Sequence, residues 1–172
     1  TRISAAVNNM DEWEDTDKAR LYRDGLSRIT DTAAESRTGY WVRVSRNRGE
    51  SWDQPIRVAL TAPHGSIALP DGNLFYFGKG IPGDLGDTTR PLQGIAAMIS
   101  DNTGQSWSSL GAVPLADGTD ETNYYEPHVV HIADNHFLGL IRVQNGPDKG
   151  RLESLGEVPF SIAQTVTRDG GK

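Results

Sequence analysis

The chain has 172 residues, a net charge of −6, 36% hydrophobic residues, 19 glycines, 9 prolines and no cysteine. This is enough apolar material for one real core, with the turn content of a β-rich protein, and it argues against disorder. The acidic balance without a Lys/Arg-rich run excludes nucleic-acid backbone recognition, no apolar run reaches the ~20 residues of a membrane span, and the absence of cysteine removes disulfide frameworks and cysteine metal sites.

In chain order, residues 8–34 are rich in charge and place Tyr22, Leu26 and Ile29 at i, i+4 and i+7, the spacing of a helix rather than of a strand. The expectation is an irregular or helical lead-in over 1–38. From Gly39 the pattern changes to strands and turns. GYWVRVS runs into SRNRGESW (45–52), QPIRVAL leaves it, and HGSIAL and NLFYFG flank the turn dipeptide Asp71-Gly72. Gly78 to Arg90 reads as a loop. GIAAMIS then enters SDNTGQSW (100–107), SLGAV leaves it, and HVVHIA and HFLGLIRV form a hairpin about Asp134-Asn135. A second loop, QNGPDKGRLESLGEV, precedes the strand PFSIAQTVT and a third phrase, TRDGGK (167–172).

The three phrases share the pattern Ser/Thr-x-Asp/Asn-x-Gly, continued in the first two by x-Ser-Trp. Asn47, Asn102 and Asp169 can each fold a side-chain oxygen back onto backbone N–H groups two residues on, while Gly49, Gly104 and Gly171 can take positive φ. Trp52 and Trp107 follow as apolar anchors expected to bury their rings. This octapeptide resembles the Asp-box, or bacterial neuraminidase repeat, of sialidases and related β-propellers. The resemblance implies an all-β fold, with 39–172 forming about three blades of a propeller. Box spacings of 55 and 67 residues exceed the ~40–50 residues of simple blades and leave room for long loops.

Comparing the repeats singles out two residues. In YYEPHVVHIADNHFLGLIR, Glu126 and Arg142 lie symmetrically about the hairpin tip, so folding at 134–135 makes them near cross-strand neighbours. The preceding copy has Ala62 or Pro63 in place of Glu126, and Gly78 or Lys79 in place of Arg142. A structural salt bridge would suffice to explain the pair, but a scaffold ion pair should recur with the scaffold, and this glutamate does not.

Sialidases and their relatives carry a Glu, an apolar strand, a turn and an Arg at this spacing before the next Asp-box. By that resemblance Glu126 is the carboxylate that pairs with a nucleophilic tyrosine, and Arg142 is one of three arginines gripping a sugar carboxylate. Arg2, in TRIS, is the weaker match to the family's first arginine. Asp31 is the nearest positional match to its general acid, with Asp24 and Glu35 as rivals and a helix cap as the bland role. Tyr124 and Tyr125 fall too early to be the nucleophile, which the resemblance places, with the third arginine, beyond the third box. His64 and His128, each following a proline, can line a sugar-binding mouth or simply hydrogen-bond within the fold.

His128 and His131 are three apart on a strand and face opposite sides, so they do not form a metal pair. GKGIPGDLG lacks the ending of a phosphate loop. No cofactor and no metal are expected. The implied partner is a carbohydrate of the sialoside type, and an open set of blades is expected to self-associate or to find a complementary half. The chain shows no secretory leader; the resemblance favours a secreted or periplasmic location. Two functions stand at this point: a sialidase-like glycoside hydrolase, and a non-catalytic propeller module that binds carbohydrate or protein.

Overall fold

The computed structural model describes residues 16–30, 32–33, 36, 39–80, 94–146 and 150–172. The chain divides into two units, Thr1–Thr38 and Gly39–Lys172. In the first, helix α1 spans Thr16–Leu26, with Asp17 in its first turn and Arg23 in its last, each favourable to the helix dipole. It ends before Ile29, so that residue of the expected apolar face lies past the helical turn.

Among the described residues, the second unit holds three antiparallel sheets in chain order. Strands β1 (Tyr40–Val42) and β2 (Ile56–Val58) pair around the first box. The second sheet contains β3 (Leu60–Thr61), β4 (Ile67–Ala68), β5 (Leu74–Gly80), β6 (Gly94–Ser100) and β7 (Ser108–Ala112). Both β3 and β4 pair with β5, at opposite ends, so together they act as one edge strand interrupted by the turn that holds Pro63 and His64. The third sheet contains β8 (Tyr124–Ala133), β9 (His136–Val143) and β10 (Ser161–Thr167), in the order β10-β9-β8. In each sheet a box follows the corresponding strand: β1, β6 or β10.

Alternation across the strands builds two cores. On β5, Tyr76 joins Ala96 and Met98 of β6, Val58 and Leu60 in a cluster between the first two sheets, while Phe75 and Phe77 point the other way. These two phenylalanines join Ile95, Ala97, Val129, Phe137 and Ile141 between the second and third sheets, with the Phe75 and Phe137 rings stacked at 4.2 Å. Lys79 and Arg142 hold the same place in consecutive sheets: Lys79 pairs with Ile95 and Arg142 with Ile162, and those partners stand five positions before Ser100 and Thr167 respectively. The same register puts Ala62, rather than Pro63, opposite Glu126 in the repeat, since Thr61 pairs with Lys79 as Tyr125 pairs with Arg142.

The boxes are hydrogen-bonded turns of one design. Ser45 Oγ accepts from Gly49 N at 2.7 Å and Asn47 Oδ1 accepts from Ser51 N at 2.9 Å, and in the second box the equivalent distances, Gly104 N to Ser100 and Ser106 N to Asn102, are 2.8 and 2.9 Å. The amide thus reaches four residues on rather than two in these boxes. In the third, Gly171 N and Lys172 N, two and three residues on, donate to Asp169 Oδ1 at 3.2 Å. Gly49, Gly104 and Gly171 adopt φ of 90°, 85° and 87°.

Three expectations need correction. The segment from Gly78 is not all loop, because β5 continues to Gly80; Gly78 is needed there since a Cβ would lie 2.8 Å from that of Leu60. The later loop contains a one-turn helix, α2 (Arg151–Ser154), anchored by the fully buried Leu152. Trp52 is 57% exposed, whereas Trp107 packs 5.6 Å from Tyr76 and donates its indole N–H to Gly104 O at 3.2 Å. The boxes lean back on the preceding sheet: a Cβ on Gly104 would meet Val44, and one on Gly171 would meet Phe75. Trp52 belongs to the first sheet of its unit, which has no preceding sheet there to cover it.

Candidate functional site

The charged residues gather at one end of the sheets, opposite the boxes. The start of β8, the end of β9, the end of β5 and the start of β10 all meet there, as antiparallel pairing requires. The hairpin turns at Asp134 and Asn135, with Ala133 paired to His136 and Asn135 at φ 58°. Seven to eight residues back from that turn the ladder shifts: Tyr125 pairs with Arg142 and His128 with Leu140, leaving Glu126 and Pro127 in a bulge. Proline has no N–H to give the ladder, which makes a bulge the natural place for it. The bulge puts Glu126 at φ 46°, in the left-handed region, and turns its carboxylate to Arg142.

Arg142 is held on three sides. Its Nη1 donates to Glu126 Oε2 at 2.9 Å, its Nη2 donates to Gln144 Oε1 at 2.5 Å, and its guanidinium carbon lies 4.5 Å from the centre of the Phe160 ring. The Nε atom is buried and has no hydrogen-bond partner. Phe160 itself has φ 64°, so two of the groups that orient this guanidinium stand on left-handed backbone. Such positions cost of order 1–3 kcal/mol each and persist where surrounding structure over-determines them. The side chain of Arg142 is 34% exposed and that of Glu126 48%, so both face solvent. A planar guanidinium with unused N–H donors, fixed in orientation beside an aromatic ring, suits a ligand carboxylate.

Lys79, near the end of β5, lies at the same end of the sheets. Its Nζ donates to Tyr124 O at 2.8 Å and lies 4.2 Å from the centre of the Tyr125 ring. Burial pushes its pKa below the ordinary value, against the opposing effect of Glu121 and Asp120. Tyr124 is fixed at its far end, where its hydroxyl accepts from Ala116 N at 3.1 Å and meets Thr119 Oγ1 at 2.8 Å. Ahead of β8, Asp120 caps a 3-10 turn (Glu121–Asn123) through Thr122 N, and Arg151 Nη1 reaches the same carboxylate at 2.5 Å. The start of β8 is thereby tied to the loop after β9.

His64 and His128 meet edge to face, with ring centroids 5.1 Å apart. The first comes from the turn between β3 and β4 and the second from β8, two residues beyond Glu126, and both residues are exposed. No family model, curated protein or solved structure matches this chain. Of the residues singled out from sequence, the fold brings Glu126 to Arg142 and His64 to His128. Arg2 and Asp31 lie outside the described residues.

Sequence reasoning missed Gln144, Phe160 and Lys79 as members of this neighbourhood. Gln144 had a signal, since residues two apart on a strand share a face with Arg142. Phe160 had none, because its contact depends on the pairing of β10 with β9 and on an unusual φ. Among the described residues no cluster of three or more His, Asp or Glu side chains can hold a metal ion, and no helix is long and apolar enough to cross a membrane.

Proposed function

We propose that the chain forms part of a sialidase-like glycoside hydrolase built as an Asp-box propeller, acting on terminal sialic acid or a related acidic sugar. The observation that carries this reading is the orientation of Arg142 by Glu126, Gln144 and Phe160, which holds a partly exposed guanidinium beside a carboxylate. In this reading Arg142 binds the sugar carboxylate, Glu126 is the base for a tyrosine nucleophile, and His64 and His128 border the ring. Arg2 and Asp31 remain proposals as second arginine and general acid. The nucleophile and a third arginine would come from outside these residues.

The repeating order of the sheets supports the propeller reading. The second and third sheets are meanders, the second and third boxes lean on the sheet before them, and Phe75, Phe77 and Lys79 of the second sheet face the third. In the third sheet the same register places Leu138, Leu140 and Arg142 on the outward face, joined by Ile162 at 71% exposure and Val130 at 51%. By this internal equivalence the outward face is built to receive another sheet, from a second copy or a complementary half.

A non-catalytic module binding carbohydrate or protein through the same end is the second reading. It is favoured by one observation: Glu126 already spends an oxygen on Arg142, which suits a binding group more than a base.

Titration of the chain with sialic acid by saturation-transfer NMR, with a neutral hexose as control, tests the first reading at its binding step. Arg142→Ala should abolish the sialic-acid signal, and Arg142→Lys should not restore it because a point charge cannot reproduce the fork. Equal signals from the neutral sugar, or an unaffected Arg142→Ala variant, would remove the acidic-sugar assignment.

A further inference from the structure

His64 and His128 come from the second and third sheets, 64 positions apart in the chain, and their rings meet. They hold the same place in the repeat: Ala62 stands where Glu126 does, so the Pro63-His64 step corresponds to the Pro127-His128 step. Both steps are anchored. Pro127 is fully buried, and His128 rejoins the ladder opposite Leu140. The turn that carries His64 is closed by Gly65 N, which donates to Ala62 O at 3.4 Å, with Gly65 at φ 71°.

The separation of the rings is that of two ligands on one metal ion. Two imidazoles bound to a tetrahedral ion, with metal–nitrogen bonds of about 2.0–2.1 Å, have ring centres about 5 Å apart. The centres of His64 and His128 are 5.1 Å apart, with the ring planes inclined at 63°. An edge-to-face aromatic contact spans about 4.5–7 Å and accounts for the same distance. Exposure separates the two roles. An aromatic contact contributes mainly through the area it removes from water, yet both residues are exposed, whereas an ion needs a path from solvent. Among the described residues no hydrogen bond or ion pair engages either imidazole, so no partner there competes for the ring nitrogens.

The ligand type selects the ion. Imidazole suits Zn2+, Ni2+ and Cu2+, while Mg2+ and Ca2+ take oxygen ligands. Among the described residues no third His, Asp or Glu completes the set, so the remaining positions of the ion fall to water and the ion is exchangeable. Its two protein bonds would still join elements of different sheets.

We propose that His64 and His128 form a two-imidazole site for a divalent transition-metal ion of the Zn2+ class, which ties the second sheet to the third. The site rests on these two rings and does not depend on the sugar reading.

The probe is Zn2+ alone, titrated as its chloride into the untagged full chain by isothermal titration calorimetry, with Mg2+ as the control for general attraction of cations to an acidic surface. Saturable one-to-one Zn2+ binding is expected. His64→Gln and His128→Gln should each weaken it at least about ten-fold, since even a partner that only orients a metal ligand is worth about 10–100-fold. Both side chains are exposed, so these variants should fold as the native chain does. Zn2+ should raise the melting temperature of the native chain and of neither variant, because the ion binds only where folding has brought the two sheets together. His136→Gln, which changes a histidine outside the pair, and Arg142→Ala should both leave Zn2+ binding as it is. No saturable Zn2+ binding, binding that survives in both His64→Gln and His128→Gln, or Mg2+ binding of equal strength would overturn the proposal and leave the pair as an aromatic contact.

Discussion

Arg142 lies over Phe160 with 4.5 Å between its guanidinium carbon and the ring centre, and Phe160 reaches that position only by adopting φ 64°. Glu126, which grips the same guanidinium from the other side, stands at φ 46°. Stability is being exchanged for orientation at this end of the sheets, and substitutions can measure the exchange.

At Glu126 the magnitudes decide the sign. A half-exposed ion pair contributes about 0–1 kcal/mol, whereas a left-handed non-glycine residue costs roughly 1–2 kcal/mol. Glu126→Ala loses the pair and keeps the strain; Glu126→Gly loses the pair and releases it. Thermal unfolding should therefore place Glu126→Gly above Glu126→Ala by about 1 kcal/mol, or roughly 2–6 °C. A glycine variant that melts below the alanine variant would mean the backbone there carries no strain.

Activity is expected to be absent from the 172-residue chain alone. The proposed reaction needs a phenol nucleophile that the resemblance places beyond the third box, and removing one member of a catalytic unit costs several orders of magnitude. A fluorogenic sialoside should show no turnover above background. Robust turnover lost on Arg142→Ala would show that the site is complete within these residues.

Self-association is expected from the outward face of the third sheet, where Leu140, Ile162, Val130 and Val166 are 42–71% exposed. Sedimentation equilibrium at micromolar concentration should detect a dimer or larger species, and Leu140→Lys should shift it towards monomer. A sharply melting monomer with the native sequence would argue against the half-propeller reading.

Acid sensitivity follows from three carboxylates held below their ordinary pKa. Hydrogen bonds from Thr122, then the Arg151 guanidinium, act on Asp120; Asn145 acts on Glu153; and Thr167, then Lys172 N, acts on Asp169. Each folded-state pKa is depressed, so each contribution is fully present above the unfolded pKa and is lost as pH falls through the folded one. Unfolding free energy should fall as pH drops from about 5 towards 2. Asp120→Asn should flatten part of that slope while leaving the Asp169 and Glu153 parts, and an unchanged slope would show that the cap carries no linkage.

Much of the architecture was legible because it depends on local chemistry. The Asp or Asn and the glycine of each box and the Asp71-Gly72 and Asp134-Asn135 turns specify hairpins within a few residues of chain. The symmetry of Glu126 and Arg142 about a two-residue turn likewise placed them within reach, since hairpin register follows from the turn. Tertiary structure decided what depends on a second sheet. Trp52 and Trp107 sit in nearly identical octapeptides, yet one is exposed and the other packs on Tyr76, because only the second has a preceding sheet in its unit to close against. The Phe160 ring beneath Arg142, the Lys79 ammonium over Tyr125 and a cavity lined by Gly139 arise where strands of different hairpins pack together. Local patterns specify turns and faces, but they do not specify which side chain from another strand will meet a given face, or how much space remains between them.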